Sequence, residues 1–182
     1  MTVCAGIKPE TAYVSGGKFM NGQFCTIPFE RIEITPSGDV FNCCASWLPK
    51  IIGNIFEEPD FEKIWNSRAA QEIRGSMLDR SYRYCNKAYC AHILAGVYTP
   101  GDKKTGFRDK FRKYRKPVAS KGPRIMALNY DLACNLHCKS CRNHVIATPE
   151  ERRKTLLEFQ DKLVHSRVIE NVRELIVTGG GD

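Results

Sequence analysis

Hydrophobic and polar positions along this chain fall into short blocks whose period changes several times. Arg31-Ile-Glu-Ile34 alternates as a strand, Thr35-Pro-Ser-Gly-Asp39 makes a tight turn, and Val40-Phe-Asn-Cys43-Cys44 returns, which predicts a β-hairpin. Two helical periods follow. One runs from about Pro59 to Asn66 with Phe61, Ile64 and Trp65 on one face. The other runs from Ser67 to Leu78 with Ala69, Ala70, Ile73 and Met77 inward. After the breaker Gly122-Pro123, Arg124–Leu132 reads as a buried strand. Thr148-Pro149-Glu150-Glu151 predicts a helix start, with Thr148 as cap and Glu151 completing a capping box. That helix should reach about His165 and bury Leu156, Phe159 or Gln160, and Leu163. Glu174-Leu-Ile-Val-Thr178 is a short apolar strand, so the end of the chain reads as strand–loop–helix–strand, a βαβ unit of a parallel sheet.

Cysteine usage changes this picture most. The chain has nine cysteines in 182 residues. No apolar leader opens it and no apolar run approaches a membrane span, so a cytoplasmic, reducing setting is expected, and an odd count there argues for metal rather than disulfides. Cys134-Asn-Leu-His-Cys138-Lys-Ser-Cys141 follows the predicted strand as C-x3-C-x2-C. Three thiolates can hold three irons of a [4Fe–4S] cubane and leave the fourth open to another molecule. The competing reading is zinc, with His137 or His144 as fourth ligand.

The triplet after a strand resembles the signature of the radical S-adenosylmethionine (radical SAM) superfamily. The resemblance implies a cluster on Cys134, Cys138 and Cys141 that chelates SAM and cleaves it to a 5′-deoxyadenosyl radical for hydrogen abstraction. Gly179, Gly180, Gly181 and Asp182 stand where that family carries a SAM-binding Gly-Gly-Glu-like motif; glycine allows close backbone approach, and Asp182 is one methylene shorter than Glu. Ser140 occupies a position that is often aromatic in the family. The implied fold is an incomplete α/β barrel of partial TIM type. Residues 123–182 fall well short of the roughly 200 that such a barrel needs, so a truncated chain, inactive by itself, is expected.

Residues 25–90 resemble a second module, the SPASM domain, through Cys25-x2-Pro-Phe, Gly38-Asp-Val-x-x-Cys43, Gly53-Asn-Ile, Ile64-Trp65-Asn66-Ser67 and the closing pair Cys85 and Cys90. The resemblance implies a small α+β domain with an auxiliary [4Fe–4S] cluster on Cys25, Cys43, Cys85 and Cys90, with Cys44 competing for the second position. A four-cysteine zinc knot is the alternative. In the enzymes it resembles, this module usually follows the radical SAM domain; here it comes first. Trp47, Phe61 and Trp65 read as core and Cys4 as a terminal thiol. The expected organisation is an N-terminal segment 1–24, a SPASM-like domain 25–95, a basic linker 96–122 and the start of a barrel 123–182.

Charge is concentrated in that linker. Gly101–Lys121 holds nine Lys/Arg against Asp102 and Asp109, so it carries +7 of the chain's formal +8. Phe107, Phe111 and Tyr114 recur at helical spacing, which predicts a basic amphipathic helix over 106–116. It is read as a linker packed by its aromatic face; contact with nucleic acid through 101–121 is the other reading. Implied partners are a peptide or small-molecule substrate and an electron donor such as flavodoxin or ferredoxin. The alternatives to the enzyme are a cysteine-rich zinc-binding interaction module and an Fe–S nucleic-acid-binding protein.

Overall fold

The computed structural model describes residues 25–58, 60–95, 114–134 and 145–177. In chain order these form α1 (Ile27–Glu30), β1 (Arg31–Ile34), β2 (Asp39–Phe41), β3 (Gly53–Asn54), α2 (Phe61–Trp65), α3 (Arg68–Leu78), α4 (Ala91–Leu94), β4 (Ile125–Leu128), α5 (Glu150–Val164), a 3-10 turn (Arg167–Asn171) and β5 (Glu174–Val177). The strands make one mixed sheet in the order β3-β2-β1-β4-β5. The predicted hairpin is β1–β2, antiparallel with Glu33 opposite Phe41 and Ile34 opposite Val40. Gly38 sits at φ 84° in its turn, and a Cβ there would also meet the Phe56 ring at 2.4 Å, so glycine is required.

β1 also pairs in parallel with β4, and β4 with β5. The sheet therefore runs from the cysteine-rich module into the βαβ unit, and one hydrophobic core serves both. It holds Ile32, Ile34 and Val40 of the hairpin, Ile64, Trp65, Ile73 and Met77 of α2 and α3, Met126 of β4, and Leu156, Phe159 and Leu163 of α5. Gln160 is on the solvent side, where it donates to Tyr130 Oη at 2.8 Å, so Phe159 is the inward residue. β5 forms the sheet edge and leaves Leu175 and Val177 exposed. Among the described residues no helix is long and apolar enough to cross a membrane.

Helix starts obey local chemistry in two cases and tertiary chemistry in a third. The Asp60 side chain accepts the amides of Glu62 and Lys63, and Ser67 accepts Ala70 N–H, which sets the starts of α2 and α3. The expected capping box at α5 does not form: the cap is Pro149, without a side-chain bond. The Thr148 hydroxyl donates instead to the Asp131 carboxylate. An ionised acceptor on the loop after β4 outcompetes a helix amide. The strand expected over 124–132 is confined to β4, since Asp131 turns the chain by accepting Ala133 N–H at 2.9 Å. Of the expected basic helix, 106–113 lie outside the described residues. Its last residues, Tyr114–Lys116, are not helical, and Tyr114 is buried against Phe29 with its hydroxyl on Glu30.

The segment after Tyr114 is fastened by α2 and α3. Arg74 is fully buried and its hydrogen bonds end on neutral oxygens: Pro28 O at 2.9 Å, Trp65 O at 2.8 Å, Asn66 Oδ1 at 3.0 Å and Pro117 O at 3.3 Å. Its guanidinium lies over the Trp65 ring at 4.2 Å. Burial pulls its pKa down to about 9. Asn66 completes the fastening by exchanging two hydrogen bonds with the Ala119 backbone, while Trp65 Nε1 donates to Lys121 O at 2.8 Å. Replacing Arg74 by Met strands four acceptors at about 1 kcal/mol each. Arg74→Met is therefore expected to lower the unfolding free energy by about 3–4 kcal/mol in urea titration, and Asn66→Ala by less, with amide exchange at Ala119 accelerating in both.

Candidate metal centre

Four cysteines gather at the end of the sheet where β1 begins and β2 finishes. Cys25 precedes α1, which feeds β1, and Cys43 follows β2. Cys85 and Cys90 arrive from beyond α3. That helix stops at Asp79, and Arg80 and Tyr82 then take left-handed φ values of 59° and 46°. Neither is glycine, so each costs about 1–2 kcal/mol. The turn is held by Asp79, which accepts Ser81 N–H at 2.8 Å and binds Arg83 Nη1 at 2.7 Å. The cysteine loop is tied down by Asn86, whose N–H donates to Trp47 O at 2.7 Å and whose carbonyl accepts Cys90 N–H.

These four thiols sense one another. Burial raises the Cys43 pKa well above its ordinary value, and neighbouring Cys25, Cys85 and Cys90 raise it further, while Arg31 pulls it the other way. Burial pushes Cys85 up to about 12, with Cys90 adding to the effect. Cys90 is raised by burial too, against backbone N–H groups of Ile93 and His92 that favour its ionised sulfur. Cys44, the competing candidate, is disulfide-bonded rather than free. Among the described residues no group of three or more His, Cys, Asp or Glu side chains is arranged to hold a metal ion.

Three buried polar atoms on the hairpin that leads to Cys43 lack partners. Asn42 is completely buried, and neither Nδ2 nor Oδ1 has a hydrogen-bond partner; Arg31 Nε is buried and unbonded as well. Leaving such groups unmade costs about 1–3 kcal/mol apiece. An all-sulfur donor set with hydrogen-bond donors next to it fits a thiolate-held cluster, which takes hydrogen bonds at sulfur. Tyr82 closes another side: it is buried, accepts Cys25 N–H at its hydroxyl, and has its pKa raised mainly by burial. Arg31, Asn42 and Tyr82 were not singled out from sequence. The signal for Arg31 is its place at the head of a strand that pairs with the one delivering Cys43.

Cys134 lies at the other end of the sheet, beyond the C-terminal end of β4. It is half-buried, and its N–H donates to Ile146 O at 2.9 Å, which pins the two ends of the intervening loop. A cavity of about 410 Å³ lined by Asp131, Ala133, Thr148, Leu156 and Gln160 opens nearby. Cys138, Cys141, Gly179, Gly180, Gly181, Asp182 and Cys4 lie outside the described residues. Tyr130 is an ordinary core residue, edge-on to Phe159 at 5.4 Å.

Residues 25–91 match the family model of SPASM, an iron–sulfur cluster-binding domain, so this segment is a SPASM-type domain. All four clustered cysteines fall within it. No curated protein and no solved structure matches the chain.

The raised thiols set a pH dependence for the metal-free protein. The folded state holds protons on Cys85, Cys43 and Cys90 that the unfolded chain surrenders at an ordinary thiol pKa of 9.0. Unfolded chains then bind fewer protons, so stability is flat below about pH 9 and falls as pH rises from there toward about 12. Urea midpoints of the reduced, metal-free chain should drop between about pH 8 and pH 10.5, and Cys85→Ala should flatten the slope.

Proposed function

We propose that this chain belongs to a radical SAM enzyme whose SPASM-type domain holds an auxiliary [4Fe–4S] cluster on Cys25, Cys43, Cys85 and Cys90. The observation that carries the reading is the gathering of Cys25, Cys43, Cys85 and Cys90 inside the segment that matches an iron–sulfur cluster-binding domain. A tetrahedral zinc with bonds of about 2.3 Å draws its sulfurs to within about 4 Å of each other. In a cubane each thiolate binds a different iron.

The second cluster is assigned to Cys134, Cys138 and Cys141. Support comes from β4–α5–β5, a parallel strand–helix–strand unit with Cys134 beyond its first strand, and from Gly179–Asp182 directly after β5 in sequence. When bound, that cluster and SAM supply one-electron cleavage and a hydrogen-abstracting radical. The chain's own part is to pin the loop at Cys134 and Ile146, and to bind the amino end of SAM through the glycines and Asp182. The substrate class proposed is a peptide or small metabolite. The electron donor is a flavodoxin or ferredoxin, and the setting a reducing cytoplasm.

Anaerobic reconstitution with iron and sulfide tests both assignments. Wild-type chain is expected to bind about eight irons, and a Cys134→Ser/Cys138→Ser/Cys141→Ser variant about four. Cys25→Ser, Cys43→Ser, Cys85→Ser or Cys90→Ser should remove the auxiliary signal from that variant, whereas Cys44→Ser should leave it. Full zinc occupancy with no iron uptake would falsify the proposal.

A further inference from the structure

The three parallel strands start level, since Arg31 pairs with Ile125 and Ile125 with Glu174. The residues one step earlier, Glu30, Arg124 and Arg173, therefore form a row across strands about 4.8 Å apart. The backbone holds this row: Arg124 N–H donates to Glu30 O at 2.7 Å, and Arg173 N–H to Arg124 O at 2.8 Å. Two guanidiniums thus stand side by side with one carboxylate. Glu30 reaches Arg124 at 3.4 Å and also accepts from the Tyr114 hydroxyl and from Thr26 Oγ1. Among the described residues the Arg173 side chain makes no hydrogen bond or ion pair. Neighbouring like charges repel, and Glu30 offsets one cation at most.

All three residues of the row line a cavity of about 410 Å³. Lys121 lines it too, with an ammonium that is likewise unpaired among the described residues, while Phe29, Tyr114 and Val118 supply an apolar wall. The rest of the lining is the strip 119–122, whose carbonyls are already committed. Ala119 O accepts Asn66 Nδ2 at 3.0 Å, Lys121 O accepts Trp65 Nε1 at 2.8 Å, and Gly122 O accepts Asn171 Nδ2 at 2.6 Å. A Cβ on Gly122 would meet Val168 O at 2.1 Å, so glycine lets the strip pack against the 3-10 turn. The N–H groups of Ser120, Lys121 and Gly122, by contrast, make no hydrogen bond among the described residues. An adjoining cavity of about 480 Å³ shares this strip and Arg173, but it brings two carboxylates, Glu62 and Glu170, with Arg167, so its surplus of positive charge is smaller.

We propose that the 410 Å³ cavity binds a small organic oxyanion, a carboxylate or phosphate group on an apolar body, with Arg124, Arg173 and Lys121 on the oxyanion and Phe29, Tyr114 and Val118 against the body. A guanidinium fork matches either oxyanion with paired, charge-assisted hydrogen bonds. An anion between Arg124 and Arg173 turns their repulsion into attraction. The cavity has the size and the mixture of apolar wall and few convergent polar groups that small ligands use. Its strip is fixed in advance by Asn66, Trp65 and Asn171, so little ordering remains for binding to offset. The site lies where the parallel strands begin, away from the Cys134 end, and it does not depend on what the cysteines hold.

The full reduced chain is titrated with phenyl phosphate, benzoate, inorganic phosphate and benzyl alcohol, followed by calorimetry and by amide chemical shifts. Phenyl phosphate or benzoate should saturate one site, bind more tightly than inorganic phosphate and move the Ser120, Lys121 and Gly122 amides, whereas benzyl alcohol should not bind. The stronger of the two identifies the headgroup. Arg173→Met should weaken it by about tenfold or more, the loss of one charged hydrogen-bonding group, and Arg173→Lys by less. Val118→Ser should shrink the advantage over inorganic phosphate, and Arg167→Met should leave binding unchanged. At low salt the melting temperature of Arg173→Met without ligand should equal or exceed that of wild type, because a repulsion is removed and no bond is lost. Failure of both aromatic anions to saturate would overturn the inference. Equal losses in Arg167→Met and Arg173→Met would do so too, since a diffuse basic surface behaves in that way. Tighter, steeply salt-dependent binding of a short single-stranded oligonucleotide that displaces the probe would assign the cavity to nucleic acid instead.

Discussion

The parallel pairing of β1 with β4 decides where chemistry can lie in this chain. Among the described residues β1 alone joins the two halves of the sheet, pairing with β2 in the hairpin and with β4 of the βαβ unit. Parallel alignment means that both strands begin at one end of the sheet and finish at the other. Cys25 leads into β1 and Cys43 leaves its antiparallel partner, so the quartet belongs to the starting end. Cys134 follows β4 and belongs to the finishing end. Four residues of strand span about 13 Å, so the two cysteine sites are held apart by the full length of the sheet. Arg74, Asn66 and Trp65 keep that alignment by fastening residues 117–121, the approach to β4, onto α2 and α3.

The quartet's surroundings follow a logic different from the rest of the core. Arg74 shows how this protein treats a buried cation when no ligand is involved: its donors are distributed over neighbouring carbonyls. Asn66 likewise satisfies both ends of its amide against Ala119. Among the described residues, Arg31 Nε and the Asn42 side-chain amide are the buried polar atoms left unmatched.

Much of this was legible in sequence, and the parts that were not share a cause. The hairpin, α2, α3, α5 and β5 were written in short-range periodicity and turn chemistry, and they stand close to where those signals put them. The four thiols were picked out through the resemblance of residues 25–90 to a SPASM domain, and the structure brings them to one end of the sheet. The β1–β4 pairing was not, because 90 or so residues separate the partners and a strand's pattern does not name its neighbour. Arg74 lies on α3 as one charge among several, and only the tertiary approach of Pro28 and Pro117 makes it a buried hub. The capping box at Thr148 failed for the same reason: Asp131 competes from outside the local window. The resemblances placed one module at 25–95 and another at 123–182, and one sheet and one core run across both segments.

Placement at the starting end of the sheet constrains what an auxiliary cluster could do here. Ligand-binding loops of parallel α/β units lie beyond the C-terminal ends of their strands, which is the Cys134 end. A group held by Cys25, Cys43, Cys85 and Cys90 is on the opposite side of the core from that position, and four thiols leave a cubane with no iron open to substrate. Under the proposed assignment, direct contact between the auxiliary group and a substrate bound at Cys134 is thus disfavoured twice, by distance and by ligation. What remains is influence through electrons or through stability.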